Sequence, residues 1–437
     1  MKKKISVLSI CAALVCISDL QGQVRLTDVA TNGASSRSCF NASSNFDASI
    51  IAFRSDGDFL SEGRADNDLE IWLWSAAGLT RLTDATANSQ TDRDADFPSI
   101  STEGDRVAFR SNGDYLSEGR GITSELWLWD ESAGLARLTD VTTNGGTDRT
   151  VLYLAMSGDG TKIAFTSDAD LLSSGHPDNR FDLWMWHEGS GISMLTDVAD
   201  DTRGVADPAI NSAGTHVAFL SDGDFLSEGR ADNDFELWLW VSGSGLSRLT
   251  DVTAASATER DVANCQPTVS DDGSRIAFCS DADFLNEGRN DNDWEIWLWD
   301  QGSGLTRITD ATANMGFDRD SFNAGISSDG STIVFRSDAD LLSEGIVDGQ
   351  FEVWAYDIAG AAFTRISTSS DGANRATYSP TIDADGSHVV FSSDSEMGGE
   401  TLSQGAFDLW VWPSVVLFTD GFENGDATRW SISVPAP

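Results

Sequence analysis

One segment recurs seven times along the chain at nearly constant spacing. It opens with a phenylalanine that we call the marker phenylalanine, and successive copies start 56, 56, 54, 59, 57 and 56 residues apart. The copies start at Phe53, Phe109, Phe165, Phe219, Phe278, Phe335 and Phe391. Blocks like Ile-Trp-Leu-Trp and Arg-Leu-Thr-Asp recur in step with it. A repeat of this length predicts one supersecondary unit per copy, and such units bury their apolar faces by stacking.

Each copy contains the pattern of four short strands. In the second copy we predict strands at residues 98–101, 106–111, 126–129 and 136–139, with a tight turn at Gly104 between the first two. The third strand is apolar on both faces, which is typical of a sheet packed between two others. We therefore predict an all-β fold, a seven-bladed β-propeller with four antiparallel strands per blade. A linear β-solenoid competes, but its rungs are normally shorter.

The repeat resembles that of a known family. The pattern Pro-x-Ile-Ser-x-Asp-Gly-x-x-Ile-Ala-Phe-x-Ser-Asp, followed by Glu-Ile-Trp-Leu-Trp-Asp and Arg-Leu-Thr, is similar to the TolB-type, WD-repeat-like propeller repeat. The resemblance covers residues 24 to about 413 and implies the propeller fold. It does not carry over the Tol-Pal role, because TolB has an extra N-terminal domain and the loops here between the second and third strands are long.

The two ends of the chain lie outside the repeat. Three lysines followed by a short apolar run predict a signal peptide at residues 1–22. Residues 23–413 then form the propeller, and residues 414–437 form a C-terminal tail. Residues 420–426 and the Trp-Ser that follows resemble a C-terminal tag of secreted bacterial proteins, with a flexible acidic tail as the alternative. We expect a protein secreted to the periplasm or cell surface of a bacterium.

The net charge of the chain limits the classes of partner that it can bind. The chain has 70 Asp and Glu against 28 Lys and Arg, a net charge of −42. Such a chain repels phosphate backbones, so we exclude nucleic acid as a partner. No apolar run is long enough to span a bilayer. Protein or carbohydrate partners in the cell envelope or outside remain, and we expect a monomer.

An arginine lies in every connection between blades. Strand direction places these connections on one face with the long loops between second and third strands, and we call it the long-loop face. The seven arginines could ring the channel mouth and bind an anionic ligand by bidentate contacts. Alternatively, each pairs with an aspartate of its own or a neighbouring blade and is structural. The seven are Arg37, Arg93, Arg149, Arg203, Arg260, Arg319 and Arg375.

The long loops are rich in acids. Alternate carboxylates such as Asp66, Asp68 and Glu70 could offer oxygen atoms to calcium, although the EF-hand order is absent. Calcium is therefore a candidate cofactor and no cofactor is required; the alternative is a solvated acidic face. An acid immediately before the third strand recurs in every copy and is predicted to be structural. These acids are Glu70, Glu125, Asp182, Glu236, Glu295, Glu352 and Asp408.

Two long-range contacts are also predicted. A three-residue turn that sets Ser270 opposite Ser274 places Cys265 opposite Cys279, within disulfide range. Two buried free thiols are the alternative, and Cys39 remains unpaired. Residues 24–28 form a strand that completes the last blade and closes the ring, with residues 415–419 as the competing strand.

Signals of catalysis are sparse. The four histidines show no metal-ligand spacing, and the chain has neither a nucleophile elbow nor a Gly-rich phosphate loop. We predict a non-catalytic binding or scaffold propeller whose ligand or partner lies on the long-loop face near the channel mouth, where the loops vary most. One alternative is a secreted polysaccharide lyase or hydrolase, and another is a calcium-stiffened structural surface protein. Loop variation by neutral drift is the alternative to a site on this face.

Overall fold

The computed structural model describes the residues of the propeller core. They are residues 23–29, 37–62, 68–84, 93–118, 123–141, 149–174, 180–197, 204–229, 234–252, 261–263, 266–287, 293–310, 319–343, 350–367, 377–395, 397 and 406–413. The predicted signal peptide and C-terminal tail lie outside them. The described residues form 28 strands in seven four-stranded antiparallel sheets. The predicted seven-bladed propeller is confirmed. In these ranges no helix could cross a membrane.

Six of the seven blades have their strands in the order of the chain, from the first strand to the fourth. Blades 1 and 2 comprise β2 (Cys39–Ser44), β3 (Ile50–Ser55), β4 (Glu70–Ser75), β5 (Gly78–Arg81), β6 (Ala95–Ile100), β7 (Arg106–Ser111), β8 (Glu125–Asp130) and β9 (Gly134–Arg137). Blades 3 and 4 comprise β10 (Val151–Met156), β11 (Lys162–Ser167), β12 (Asp182–His187), β13 (Gly191–Met194), β14 (Val205–Ile210), β15 (His216–Ser221), β16 (Glu236–Val241) and β17 (Gly245–Arg248).

The remaining blades follow the same plan, except that the outer strand of blade 7 comes from the start of the chain. Blades 5 to 7 comprise β18 (Thr268–Val269), β19 (Arg275–Ser280), β20 (Glu295–Asp300), β21 (Gly304–Arg307), β22 (Ser321–Ile326), β23 (Thr332–Ser337), β24 (Glu352–Asp357), β25 (Ala362–Arg365), β26 (Thr377–Ile382), β27 (His388–Ser393), β28 (Asp408–Pro413) and β1 (Val24–Arg25).

The first strand of a blade is longer than the sequence pattern predicts. In blade 2 it runs over Ala95–Ile100 and not over residues 98–101. The reason is a β-bulge, because the pairing register with the second strand shifts by one residue between Asp96 and Ser99. Phe97, inside the bulge, adopts a φ of 53°. The extra residue of the bulge breaks the alternation of apolar and polar side chains. The sequence pattern therefore predicts only the part of the strand that follows the bulge.

The apolar core lies between neighbouring blades. One cluster packs Ala108 and Leu126 of blade 2 against Ile163, Phe165 and Trp184 of blade 3. The first tryptophan of each third strand is at most 1% exposed in all seven blades. In six blades its indole N–H donates to the carbonyl of the serine that ends the second strand. The third strand is therefore packed on both sides, as predicted.

The start of the chain closes the ring. Val24 pairs with Val411 and Arg25 with Trp410, so β1 adds the fourth strand of blade 7. The backbone N–H of Leu26 donates to the carbonyl of Leu409 at 2.8 Å. The predicted closure is confirmed, and the competing residues 415–419 lie outside the described part of the chain.

Candidate functional site

The long-loop face is built from strand ends. The first and third strands begin there and the second and fourth end there, because the strands of a blade alternate in direction. The described residues include these strand ends and the turn that follows each second strand. Much of the long loops, Asp66 included, lies outside them.

Four of the seven arginines predicted to form a ligand ring lie in the described residues, and all four are buried. They are Arg37, Arg93, Arg149 and Arg319. Nη1 of Arg37 donates to the carbonyl of Asp56 at 2.6 Å, and Nη1 of Arg319 donates to that of Asp338 at 2.8 Å. These contacts within a blade favour the structural alternative. Arg203, Arg260 and Arg375 lie outside the described ranges, and ligand binding by the ring stays a prediction.

The Asp or Asn three residues after each marker phenylalanine also contacts the inter-blade connection that contains the arginine. In six blades its Oδ1 accepts the backbone N–H of the residue that follows the arginine, at 2.7 to 3.0 Å. Burial nevertheless raises the pKa of Asp56, Asp168 and Asp338. These carboxylates order the inter-blade connections on the long-loop face.

The acid predicted immediately before each third strand is the first residue of that strand, and it is buried in all seven blades. It accepts a hydrogen bond from a Thr or Ser two residues beyond the end of the fourth strand, as in Thr139 Oγ1 to Glu125 Oε2 at 2.6 Å. In blade 7 the donor is Thr27, whose Oγ1 lies 2.8 Å from Asp408 Oδ1. Burial raises the pKa of Glu125 to about 7. The structural role predicted for this acid is confirmed, and it accounts for the threonine of the Arg-Leu-Thr-Asp block.

The turn after each second strand presents a leucine to solvent. In blade 1 buried Asp58 accepts the backbone N–H of Glu62 at 2.8 Å through Oδ1, and its carbonyl accepts that of Ser61 at 3.2 Å. Ser61 has a φ of 56°, a left-handed conformation that side chains rarely adopt. Phe59 packs edge-on against the buried tryptophan of the third strand, with ring centroids 5.0 Å apart. Leu60 is left 47% exposed.

The same turn recurs in six blades. Eight large apolar side chains are exposed in the described part of the chain, and six of them are these leucines, at 43% to 50%. The residue after each leucine has a φ between 54° and 57°. We call the six side chains the leucine ring. They are Leu60, Leu116, Leu172, Leu226, Leu285 and Leu342.

A second feature of this face is a belt of half-buried aromatic rings beside the central channel. We call it the aromatic belt. It comprises Trp294, Phe322, Phe351, Tyr378, Phe407 and Phe40. Ring centroids in contact along it lie 5.2 to 6.2 Å apart. The channel itself holds a cavity of about 610 Å³ that is lined by the first strands of all seven blades.

One acid, Asp207, lines that cavity. It lies in the bulge of β14 with a φ of 49°. Burial raises the pKa of its carboxyl group to about 6. No hydrogen bond or ion pair to this carboxyl occurs among the described residues. A poorly solvated carboxyl with a pKa near neutrality can take up or release a proton in the channel.

The described residues do not support a metal centre. They contain no group of three or more His, Cys, Asp or Glu side chains that could hold a metal ion. His187, His216 and His388 lie in different blades, and His176 is outside the described residues. Calcium binding by the long loops stays a prediction.

One histidine cluster includes the residue types of a catalytic triad without its geometry. Nδ1 of His388 lies 2.7 Å from Asp383 Oδ2 and 2.8 Å from Ser387 Oγ. The hydrogen bond with Asp383 raises the pKa of His388. Because serine and aspartate meet the same ring nitrogen, the imidazole cannot relay a proton between them.

The cysteines differ in state. Cys279 lies buried in β19 and takes part in a disulfide bond, whereas Cys39 is a buried free thiol, as predicted. Burial strongly raises the pKa of Cys39, which leaves the thiol protonated. Cys265 lies outside the described residues, so the Cys265–Cys279 pairing stays a prediction.

The register from which that pairing was predicted is wrong. The backbone N–H of Ser270 donates to the carbonyl of Arg275 at 3.0 Å, so the turn holds four residues and Ser270 does not face Ser274. Thr268 pairs with Ala277, and Val262 pairs with Ser280. Five chain positions lie between Val262 and Thr268, but only two lie between their partners Ser280 and Ala277, so the pairing does not keep one register between these two points.

The leucine ring and the aromatic belt were not predicted from the sequence. The sequence does contain a signal for the ring. In most copies the leucine occupies the second position of a four-residue motif: an aromatic residue or Leu, then Leu, then Ser or Asn, then Glu. The belt has a positional signal as well, because Trp294, Phe351 and Phe407 directly precede the acid of the third strand, as Phe181 and Phe235 do in other copies. Phe322 and Tyr378 come from first strands, whereas Trp294 and Phe351 precede third strands, and their contacts cross from blade to blade.

No protein-family model and no curated protein matches this sequence. Solved structures match most of it. An oligogalacturonate lyase in complex with manganese aligns with a TM-score of 0.53 at 13% identity, over 90% of this chain and 93% of that one. The β-propeller domain of the trilobed protease from Pyrococcus furiosus, which has an open velcro topology, aligns with a TM-score of 0.51 at 12% identity, over 86% and 95%. The likeness is one of fold.

TolB is also among the structural neighbours. TolB from Acinetobacter baumannii aligns with a TM-score of 0.39 at 14% identity, over 79% of this chain and 76% of that one. A TM-score this low supports no conclusion about this chain. The WD-repeat-like label and the likeness of the tail to a secretion tag stay predictions.

Proposed function

We propose that this protein is an exported, non-catalytic binding or scaffold propeller that docks a protein partner on its long-loop face. The leucine ring is the observation that carries the proposal. Six of the eight exposed large apolar side chains of the described residues occupy one repeat position on one face. Exposed apolar side chains scattered singly need no explanation, whereas their concentration on one face is typical of an interaction surface.

The turn that carries each leucine supports this proposal. Each copy holds a non-glycine residue in the left-handed region, at a cost of about 1 kcal/mol. Five of the six also bury an aspartate, such as Asp58 or Asp114, whose side chain accepts a backbone N–H of its own turn, and Asp224 of blade 4 is half-buried. A relaxed turn would avoid both costs. The leucines are therefore held rigidly before any partner arrives, which lowers the entropy lost on binding.

The charge of the chain indicates the chemistry of the partner. With a net charge of −42, the protein attracts basic surfaces and repels acidic ones. Glu62 and Glu118, two residues after the leucines of blades 1 and 2, are partly exposed, but each pairs with an arginine of its own blade. The attraction of a basic partner therefore comes from the excess of acids in the chain as a whole. We infer a partner that inserts apolar side chains among the leucines and surrounds them with Lys and Arg.

The test compares two faces of the same molecule. One variant carries Leu60→Ser, Leu116→Ser and Leu172→Ser. The matched control is Phe46→Ser, since Phe46 is 53% exposed on the opposite, tight-turn face. Wild type and variants are cross-linked in envelope extract, and captured proteins are quantified by mass spectrometry. We expect a basic protein to be captured by wild type and by Phe46→Ser and lost from the leucine variant. Equal capture by all three would contradict the proposal.

A polysaccharide lyase or hydrolase is the alternative function, and Asp207 is the observation that favours it. Its carboxyl, with a pKa raised to about 6, lies in the channel cavity where a chain end could enter. The fold-level likeness to oligogalacturonate lyase is compatible with this alternative. The test is product release from acidic polysaccharides by wild type and by Asp207→Asn. If wild type is active and Asp207→Asn is not, the protein is an enzyme and the non-catalytic proposal is wrong.

Export and calcium binding are further parts of the proposal that have separate tests. Cell fractionation should recover the protein from the periplasm or the cell surface. Calcium should raise the melting temperature and a chelator should lower it, because the acids of the long loops repel each other without a cation. No calcium effect would remove the calcium-stiffened structural protein from consideration.

A further inference from the structure

Arg336 occupies an aromatic cage beside the channel. It lies near the long-loop end of β23, where its guanidinium carbon is 5.5 Å from the ring centroid of Phe322, 4.8 Å from Phe351 and 4.7 Å from Tyr378. All three rings belong to the aromatic belt. Cation–π contacts of this kind stabilise a guanidinium without neutralising it.

Arg336 has no carboxylate partner among the described residues. No Asp or Glu of these residues lies within ion-pair distance of its guanidinium, and its Nε is buried without a hydrogen-bond partner. Its polar contacts are neutral groups: the carbonyl of Thr377, 3.5 Å from Nη1, and the phenol of Tyr378. Burial lowers the pKa of Arg336. In a chain with 70 acidic residues, a half-buried cation without an acid is unusual.

The equivalent arginine in blade 1, Arg54, has the carboxylate partner that Arg336 lacks, and we call its surroundings the sister site. Arg54 occupies the same repeat position, 5.7 Å from the ring of Phe40, but its Nη1 contacts Asp96 Oδ2 at 2.6 Å. Asp96 is the second residue of the first strand in the following blade. The residue at that place next to Arg336 is Tyr378. The exchange of a carboxylate for a phenol leaves the second arginine without its counter-ion.

From this pair of sites we infer that Arg336 is a receptor for the carboxylate group of a small ligand whose flat body stacks on the aromatic belt. A carboxylate can accept two parallel N–H bonds from one guanidinium. Tyr378 and Phe351 present ring faces beside the bound group, and Trp294 and Phe407 extend the belt on either side. The ligand class is an organic acid with a ring, either an aromatic acid or a cyclic sugar acid.

The channel cavity provides space for the rest of such a ligand. Its lining includes Asn323 and Ser379, which directly follow Phe322 and Tyr378 in the chain. Neither side chain has a hydrogen-bond partner among the described residues, so both can contact a polar ligand body. This site is separate from the leucine ring, and its test can fail while the docking proposal stands.

The test is a titration of the full-length secreted protein with matched probes. 4-Fluorophenylacetate represents the aromatic acids and is followed by fluorine NMR, while galacturonate represents the sugar acids and is followed by calorimetry. 4-Fluorobenzyl alcohol and galactose are their neutral counterparts. We expect binding of at least one acid and at least tenfold weaker binding of its neutral counterpart, about the loss of one charge-assisted bond. The acid that binds more tightly distinguishes the two ligand sources.

Two variants and one control decide the role of Arg336. Arg336→Met removes the cation, and Tyr378→Asp supplies the carboxylate that the sister site has. Each should weaken acid binding about tenfold or more. Arg110→Met alters the corresponding arginine of blade 2, which pairs with Asp96 Oδ2 at 3.4 Å and lies outside the cavity lining, and should leave binding unchanged. Thermal melting of each variant checks that the propeller is folded. The inference is overturned if wild type binds neither acid. It is also overturned if folded Tyr378→Asp binds the acids as tightly as wild type does.

Discussion

Gly104 of blade 2 packs directly against Ile50 of blade 1. A Cβ atom at position 104 would lie 2.6 Å from Ile50 Cδ1 and 3.2 Å from its Cβ, and Gly104 has a φ of 80°. The same contact recurs in blades 3 to 7, where the glycine of the tight turn meets the first residue of the preceding blade's second strand, and blade 1 has Ala48 in place of the glycine. The tight-turn face is therefore held together by backbone packed against side chains.

The first prediction separates this contact from backbone strain. Gly134 has a φ of 81° and nothing within 4 Å of its missing Cβ. Gly134→Ala should lower the free energy of unfolding by about 1 kcal/mol through strain alone. Gly104→Ala has the same strain plus a clash with a β-branched side chain, which adds about 1–3 kcal/mol. Thermal and denaturant unfolding measure both, and equal losses would mean that the blades adjust freely.

The second prediction concerns pH. The pKa of Asp207 is raised from 3.8 to about 6 by burial, so the folded state holds this proton more tightly than the unfolded state. Its contribution to stability is full below pH 3.8 and is lost as the pH rises through about 6. Asp207→Asn should therefore unfold like wild type in acid and be more stable at pH 8 by up to about 3 kcal/mol.

A matched carboxylate should behave in the opposite way. The pKa of Asp272 is lowered, mainly by the backbone N–H of Ser274 at 2.9 Å. Asp272→Asn should lose stability at neutral pH, because the native carboxylate is the stabilised form. If Asp207→Asn were also less stable at pH 8, its carboxyl would not be the unfavourably buried group described above.

The third prediction tests ring closure. A chain that starts at residue 23 contains β1, whereas one that starts at residue 29 lacks it and exposes the edge of β28. The shorter chain should melt at a lower temperature and associate through that edge. Calorimetry and light scattering after size exclusion provide the measurements. An unchanged melting temperature would show that β1 is dispensable.

The fourth prediction concerns the disulfide. Peptide mapping of the non-reduced protein should recover Cys265 linked to Cys279, and thiol titration after unfolding should find Cys39 free. Removing the bond by Cys265→Ala should cost about 2–3 kcal/mol, given the short loop that it closes. Two alkylatable cysteines at 265 and 279 in the non-reduced protein would contradict the pairing.

The fifth prediction concerns the inter-blade arginines. Exchange of Arg37, Arg93 and Arg149 for alanine should lower the melting temperature, because each is buried in the described structure. Partner capture should be unchanged if these side chains are structural. An unchanged melting temperature together with lost binding would instead favour the prediction that these arginines bind a ligand.

Most of the features that the sequence predicted are repeated from blade to blade. The marker phenylalanines recur in all seven copies, and the paired tryptophans and the turn glycines recur in six, so one copy predicts the others. Features set by backbone geometry or by the neighbouring blade escaped prediction, even where they recur. The bulge at Phe97 breaks the alternation that the pattern relies on. The exposure of Leu60 follows from the turn conformation of Ser61, and the isolation of Arg336 follows from which residue the next blade places beside it.

The bond between Thr27 and Asp408 joins residues that are 381 positions apart in the chain. In every other blade the equivalent bond spans no more than 15 positions. Six blades can thus assemble from contacts within one repeat or between neighbours. The seventh must wait until the last strand is synthesised and its partner is found across the ring. Such a distant encounter is slow in comparison with local pairing, so the closing step is where a propeller of this kind is most exposed to misassembly with another copy.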